Sequence, residues 1–107
     1  MNLQRRASPR VAASIPANYE QSGKAKGSGR IVELAAGGCI LRGPELPAGS
    51  DVSLALRFDP ERPDARVHGS VVHVKEGAGT ALEFVYVSAE ARELIMQYVD
   101  HQLAESG

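Results

Sequence analysis

The sequence predicts a mainly β domain: a small antiparallel barrel of about six strands, with one C-terminal α-helix packed on it. Three observations support this prediction. The chain has 107 residues, of which 43% are hydrophobic, as expected for one compact domain. Its 11 glycines and 6 prolines indicate many turns and therefore many short strands. The hydrophobic period changes from 2 to 3.6 residues only after Ser88, where a single amphipathic helix follows the strands.

The predicted strands share alternating apolar side chains and are bounded by Gly, Pro or polar residues. They cover residues 11–19, 30–34, 39–41, 51–58, 65–74 and 80–87. The glycine-rich residues 23–29 are predicted to form a flexible turn, and residues 75–79 the turn of a hairpin. Ser88 is a favourable helix N-cap, and the apolar stripe that follows it predicts a helix over about residues 88–104.

Residues 1–10 are polar, lack a hydrophobic period and contain Pro9, so they are predicted to be a flexible basic arm. Residues 11–107 then form the barrel and its helix. The formal net charge of −1 hides an asymmetry, because residues 1–30 carry six basic groups and one acid, whereas residues 31–107 carry six basic groups and twelve acids. A basic leading segment on an acidic body predicts a local anion site rather than a general nucleic-acid surface.

Composition and motifs exclude several protein classes. The single cysteine, Cys39, cannot form an internal disulfide, so a stapled secreted domain is excluded and a cytoplasmic location is expected. No apolar stretch approaches the roughly 18–20 residues that cross a bilayer, and no signal peptide follows the first Met, so no membrane insertion is expected.

No catalytic or metal site can be assembled from the sequence. His68 and His73 lie five residues apart on one predicted strand, which puts them on opposite faces unless a bulge intervenes. Cys39 is flanked by glycine and isoleucine and is expected to be a small core residue rather than a nucleophile. Nucleotide-binding glycine loops and hydrolase motifs are also missing from the sequence. A non-catalytic protein is therefore predicted.

The arginines of the arm are the most informative residues. Arg5, Arg6 and Arg10 lie within six residues of one another. Guanidinium groups bind phosphate and the Hoogsteen edge of guanine through paired hydrogen bonds, so such an arm can clamp a phosphorylated guanine ligand. Further along, glycines close the segment of residues 33–38, where they permit either a close ligand approach or a tight bend.

In this order, the two features resemble the PilZ domain family. Its pattern is RxxxR in an N-terminal arm and then (D/N)xSxxG, in a six-stranded barrel with a C-terminal helix. Arg6 and Arg10 match the first motif. In the second, Glu33 stands at the Asp/Asn position, Ala35 stands at the Ser position and Gly38 is retained.

The resemblance implies a cytoplasmic bacterial receptor or adaptor for cyclic di-GMP that acts on an effector protein. Arg6 and Arg10 would hold phosphate and guanine, and Arg5 would support a second, stacked ligand molecule. Glu33 would accept hydrogen bonds from a guanine edge, and Gly38 would leave room for the ligand. Ala35 lacks the family's hydroxyl, a deficit of roughly 0.5–1.5 kcal/mol for one neutral hydrogen bond.

Two alternatives stay open. A PilZ-type barrel that no longer binds cyclic di-GMP would act only as a protein-interaction module in motility, pilus or exopolysaccharide systems. A barrel that binds single-stranded nucleic acid would stack bases on aromatic side chains. The chain has only two Phe, three Tyr and no Trp, so no nucleic-acid partner is expected.

Overall fold

The computed structural model describes residues 9–75 and 79–106, in which six antiparallel strands close into a barrel in the order β1-β2-β3-β6-β5-β4. One helix follows the last strand. The elements are β1 Val11–Gln21, β2 Ala25–Ala35, β3 Gly38–Arg42, β4 Asp51–Leu56, β5 Ala65–Lys75, β6 Gly79–Val87 and α1 Ala89–Ser106. The predicted fold class is confirmed.

The core lies inside the barrel and under the helix. Alternate residues of the strands fill the barrel, and Ile31, Leu41 and Leu56 are fully buried. The helix adds Ala91, Ile95 and Val99, all at most 1% exposed. It begins as predicted, because the Ser88 hydroxyl accepts a hydrogen bond from the Ala91 N–H at 3.1 Å and so satisfies one of the free donors of the first turn.

The predicted turn at residues 23–29 is wrong beyond Lys24. Residues 25–29 belong to β2 and extend its pairing with β1. Their glycines make room for neighbours: a Cβ on Gly27 would lie 3.2 Å from the Tyr19 ring, and one on Gly29 would lie 2.5 Å from the Arg42 carbonyl oxygen. Glycine is therefore used here for close packing within a sheet rather than for flexibility.

Register shifts in β2 and β5 decide which side chains near the candidate site face outwards. Pairing of β2 shifts at Val32, so Ile31 and Leu34 both point into the core and the intervening Glu33 is partly exposed. A second shift, between Val71 and His73 in β5, is of the kind that re-aims side chains near functional sites.

The register shifts in β5 also settle the prediction for the two histidines. Two register shifts intervene between His68 and His73, one at His68/Gly69 and one at Val71/His73, and both histidines are exposed. Across residues 9–75 and 79–106, no group of three or more His, Cys, Asp or Glu side chains could hold a metal ion.

Candidate functional site

The candidate site is a row of side chains across four neighbouring strands on the outside of the barrel. Strand pairing aligns Glu33 of β2 with Ile40 of β3, Ile40 with Ala81 of β6, and Ala81 with His73 of β5. With neighbouring strands about 4.8 Å apart, the row extends about 14 Å. One end therefore carries a carboxylate and the other an imidazole, with apolar side chains between them.

A depression of about 500 Å³ lies over three residues of this row, Ile40, Ala81 and His73. Such a volume falls within the roughly 300–1,000 Å³ of small-molecule sites. The small residues Gly38 and Ala81 line it, and Arg10, Val72 and Glu83 also contribute to its walls. The depression thus lies between Arg10, the glycine turn at residues 37 and 38, and the outer faces of β5 and β6.

Arg10, which lines this depression, forms an ion pair with Glu33 outside it. The Arg10 Nη1 atom lies 3.6 Å from the Glu33 Oε1 atom, and the two side chains are 74% and 37% exposed. An ion pair this open to water contributes less than about 1 kcal/mol. The ion pair with Glu33 is therefore weak enough for a phosphate to compete with the carboxylate for the Arg10 guanidinium.

The glycine turn has a structural role of its own. Gly38 lies opposite Glu83 in the β3–β6 pairing, and a Cβ at Gly38 would fall against the carbonyl oxygen of Leu82. The carbonyl of Gly37 accepts a hydrogen bond from the Phe84 N–H at 2.8 Å. Glycine at position 38 is thus required for the approach of two strands, independently of any ligand.

The predicted site residues are brought together only in part. Arg10 and Gly38 line the depression, and Glu33 reaches it only through its ion pair with Arg10. Ala35 is the last residue of β2 and is 9% exposed, so a side chain at this position is largely covered by protein. Arg5 and Arg6 lie outside the described residues, and their roles stay predictions.

Sequence reasoning missed the contributions of β3, β5 and β6. From the sequence, His73 is a poor candidate for a metal ligand, and Ile40, Val72 and Glu83 receive no predicted site role. These residues reach the site through long-range pairing and through the β5 register shift. The run of exposed residues from 72 to 74 departs from strict alternation, but this departure cannot be read from residue types that include two valines.

Cys39 adjoins the depression but is a core residue, as predicted. Its side chain is buried, and burial raises the pKa of the Cys39 thiol from its ordinary 9.0 to about 12. A thiol that stays protonated is neither a nucleophile nor a metal ligand at neutral pH.

Cys39 is therefore expected to resist a thiol reagent such as DTNB at pH 8 and to react fully once the protein is unfolded in guanidinium chloride. Because the folded pKa is raised, the contribution of Cys39 to stability is complete below pH 9 and is lost as the pH rises towards about 12. Rapid labelling of the folded protein at pH 8 would contradict the burial of this thiol.

The structure also bears on membrane association. No helix within the described ranges has the length and the apolar character that crossing a membrane requires.

Comparison with known proteins identifies what this architecture is similar to. The sequence model of the PilZ domain family matches residues 4–101 of this chain. No curated protein matches the chain. The inhibitor of motility MotI/DgrA of Bacillus subtilis superposes with a TM-score of 0.75 at 19% identity, over 94% of this chain and 53% of that chain. This chain therefore spans about half the length of the Bacillus protein.

Two further solved structures are similar over nearly their whole length. The PilZ domain of YcgR from Escherichia coli, solved with c-di-GMP, has a TM-score of 0.68 at 14% identity and covers 96% of this chain and 95% of its own. The PilZ domain of CeSA from a cellulose-synthesizing bacterium has a TM-score of 0.67 at 15% identity, with coverages of 88% and 97%. At such identities these likenesses show the fold alone.

Proposed function

Because the chain belongs to the PilZ domain family, we propose that it is a bacterial cyclic di-GMP receptor that passes the signal to an effector protein and has no catalytic activity of its own. The observation that carries the proposal is the position of Arg10. The second arginine of the RxxxR motif lies at the rim of a depression of ligand size, beside the glycine turn of the second motif.

The chemistry of the depression suits a nucleotide with two phosphates and two purine rings. The exposed Arg10 guanidinium can bind a phosphate or the Hoogsteen edge of guanine through paired hydrogen bonds. Ile40, Val72 and His73 offer apolar contact and a flat ring, against which a base can stack. Arg5 and Arg6, on the arm that precedes Arg10, would supply the further positive charge that a dianionic ligand needs.

The signal would travel through the arm. Ligand contacts to Arg5, Arg6 and Arg10 would fix residues 1–10 against the outside of the barrel, and the surface so formed would be read by the effector. Ordering of a segment by ligand contacts is an established mode of switching.

Isothermal titration calorimetry with cyclic di-GMP tests the proposal directly. We expect saturable binding, with two ligand molecules per chain if Arg5 supports a stacked pair. Cyclic di-AMP is the matched control, because it carries the same phosphates without guanine, and it should bind far more weakly. If cyclic di-GMP does not bind, the departures at Glu33 and Ala35 have removed the ligand site and the protein-interaction module is the correct alternative.

Restoring the family's second motif is expected to tighten binding. The double change Glu33→Asp with Ala35→Ser draws the carboxylate back from Arg10. It also adds, at the 9%-exposed end of β2, a hydroxyl worth about one neutral hydrogen bond to a ligand that lies against the glycine turn. Together these effects should strengthen cyclic di-GMP binding about tenfold, or 1.4 kcal/mol.

Both single variants belong in the same titration, since neighbours on one segment are expected to couple. Weaker binding in the double variant would contradict this prediction. It would show that Glu33 has become a specific contact for the ligand in this chain.

A further inference from the structure

A second row of charged residues lies on another part of the barrel surface, towards the opposite end of β2 and β3 from the glycine turn. Arg30 is directly opposite Arg42 on one side and Pro16 on the other. The N–H of Arg57, just after β4, donates to the Pro16 carbonyl at 3.0 Å. All four residues are exposed. We call Arg42, Arg30 and Arg57 the arginine row; it extends about 14 Å across four strands.

Two of the three arginines of the row, Arg30 and Arg42, have no ion pair within the described part of the chain. Arg57 Nε lies 3.4 Å from Asp64 Oδ1, and Arg30 donates to the Ser14 hydroxyl at 3.1 Å. Like charges directly opposite one another destabilise a sheet. The pair Arg30–Arg42 is therefore unfavourable for folding, and such local conflicts are expected where a surface serves binding.

The barrel surface next to the arginine row carries shorter side chains than the row itself. The next aligned positions are Ser28 of β2, Asn18 of β1 and Ala55 of β4. A shallow pocket of about 250 Å³ lies between them and the arginines Arg30 and Arg57, and Asp64, the ion-pair partner of Arg57, also lines it. Because the side chains at these aligned positions are shorter than arginine, they do not block access to the guanidinium groups. A peptide that binds along the row can therefore contact several of these groups at once.

We propose that the arginine row is a docking surface for an acidic segment of a partner protein in extended conformation. Alternate side chains of an extended segment lie about 6.6–6.8 Å apart on one side, so three carboxylates span the row. Arginine binds a carboxylate through two parallel hydrogen bonds. Pro16, Ser28, Asn18 and Ala55 provide no aromatic platform for bases, which favours a protein segment over a nucleic acid.

This surface is separate from the candidate cyclic di-GMP site. It uses β1, the middle of β2, the last residue of β3 and the residue after β4, whereas the depression lies over β5, β6 and the first residues of β3. The depression and the pocket beside the arginine row share no lining residue. Loss of ligand binding would therefore leave the docking surface intact, and the two proposals can fail independently.

Fluorescence anisotropy of a labelled octaglutamate peptide, titrated with the full chain at low salt, tests the docking surface. The double variant Arg30→Gln with Arg42→Gln is expected to bind about tenfold more weakly than the wild type, since two peptide contacts are lost. The matched control, Lys24→Gln with Arg92→Gln, removes the same charge from exposed positions outside the row and should bind like the wild type.

Thermal unfolding supplies a second readout. Relief of the like-charge pair should leave the melting temperature of the Arg30→Gln, Arg42→Gln variant unchanged or higher, so weaker binding cannot be ascribed to unfolding. A lower melting temperature would show that the arginines serve the fold and would overturn the proposal.

Three binding results would also overturn it. These are no binding of octaglutamate to the wild type, an equal loss of binding in both double variants, and tighter binding of oligo(dT) or of anionic phospholipid vesicles than of the peptide. The last of these would assign the row to a nucleic acid or to a membrane surface.

Discussion

Replacing Arg10 with alanine is expected to abolish cyclic di-GMP binding while the fold stays intact. The Arg10 side chain is 74% exposed, and its ion pair with Glu33 at 3.6 Å is weak, so its loss should change stability by less than about 0.5 kcal/mol. In the proposed complex the guanidinium makes paired, charge-assisted hydrogen bonds of roughly 1.5–3 kcal/mol each, and their loss lowers affinity by more than about a hundredfold.

Arg6→Ala should have the same effect, because Arg6 is the other arginine of the RxxxR motif. Arg92→Ala is the matched control: it removes one positive charge from an exposed position on α1 and should leave binding unchanged. Calorimetric titration gives the affinities, and circular dichroism gives the state of the fold. Affinity like that of the wild type in Arg10→Ala would remove Arg10 from the ligand site.

The parts of the fold that the sequence predicts are those encoded by neighbouring residues. Strand β4 can be predicted from the sequence because each buried residue from Val52 to Leu56 is two positions from the next. The helix can be predicted because Ser88 caps it and because Ala91, Ile95 and Val99 recur at helical spacing on its buried side. Both signals are complete within a short window of the chain.

The parts that could not be predicted depend on residues distant in the sequence. Gly27 reads as a turn residue until Tyr19 is placed against it by the β1–β2 pairing. His73 is a poor metal-ligand candidate in the sequence and has no other predicted role until the β5 register shift and the pairing with Ala81 place it in the depression. Strand register is set by the whole barrel, so these assignments require the three-dimensional structure.

The candidate site shows the same division. Arg10 and Gly38 are found from motifs, since the chemistry of a guanidinium and of a glycine turn is local. The ion pair between Arg10 and Glu33 cannot be found from motifs, because it exists only where the register shift at Val32 turns Glu33 outwards. Without that shift, the alternation that buries Ile31 would bury Glu33 as well.

Gly38→Ala is expected to give the largest loss of stability among the variants considered. The added methyl group would meet the backbone carbonyl of Leu82, and a backbone atom cannot yield without disturbing the β3–β6 pairing. Overpacking of this kind destabilises by about 1–3 kcal/mol. For a domain of this size, that corresponds to a fall in melting temperature of roughly 5–20 °C, measurable by circular dichroism or by urea unfolding.

Gly37→Ala is the matched control, one residue away in the same turn. Gly37 is exposed, and a Cβ there has no neighbour within 4 Å, so its stability should stay within about 0.5 kcal/mol of the wild type. Titration of both variants with cyclic di-GMP, well below their melting temperatures, then separates two roles of Gly38. If Gly38→Ala melts like the wild type yet fails to bind, the glycine serves the ligand and the close approach of the strands does not require it. If it is destabilised while its folded form still binds, the glycine of the second motif serves the barrel.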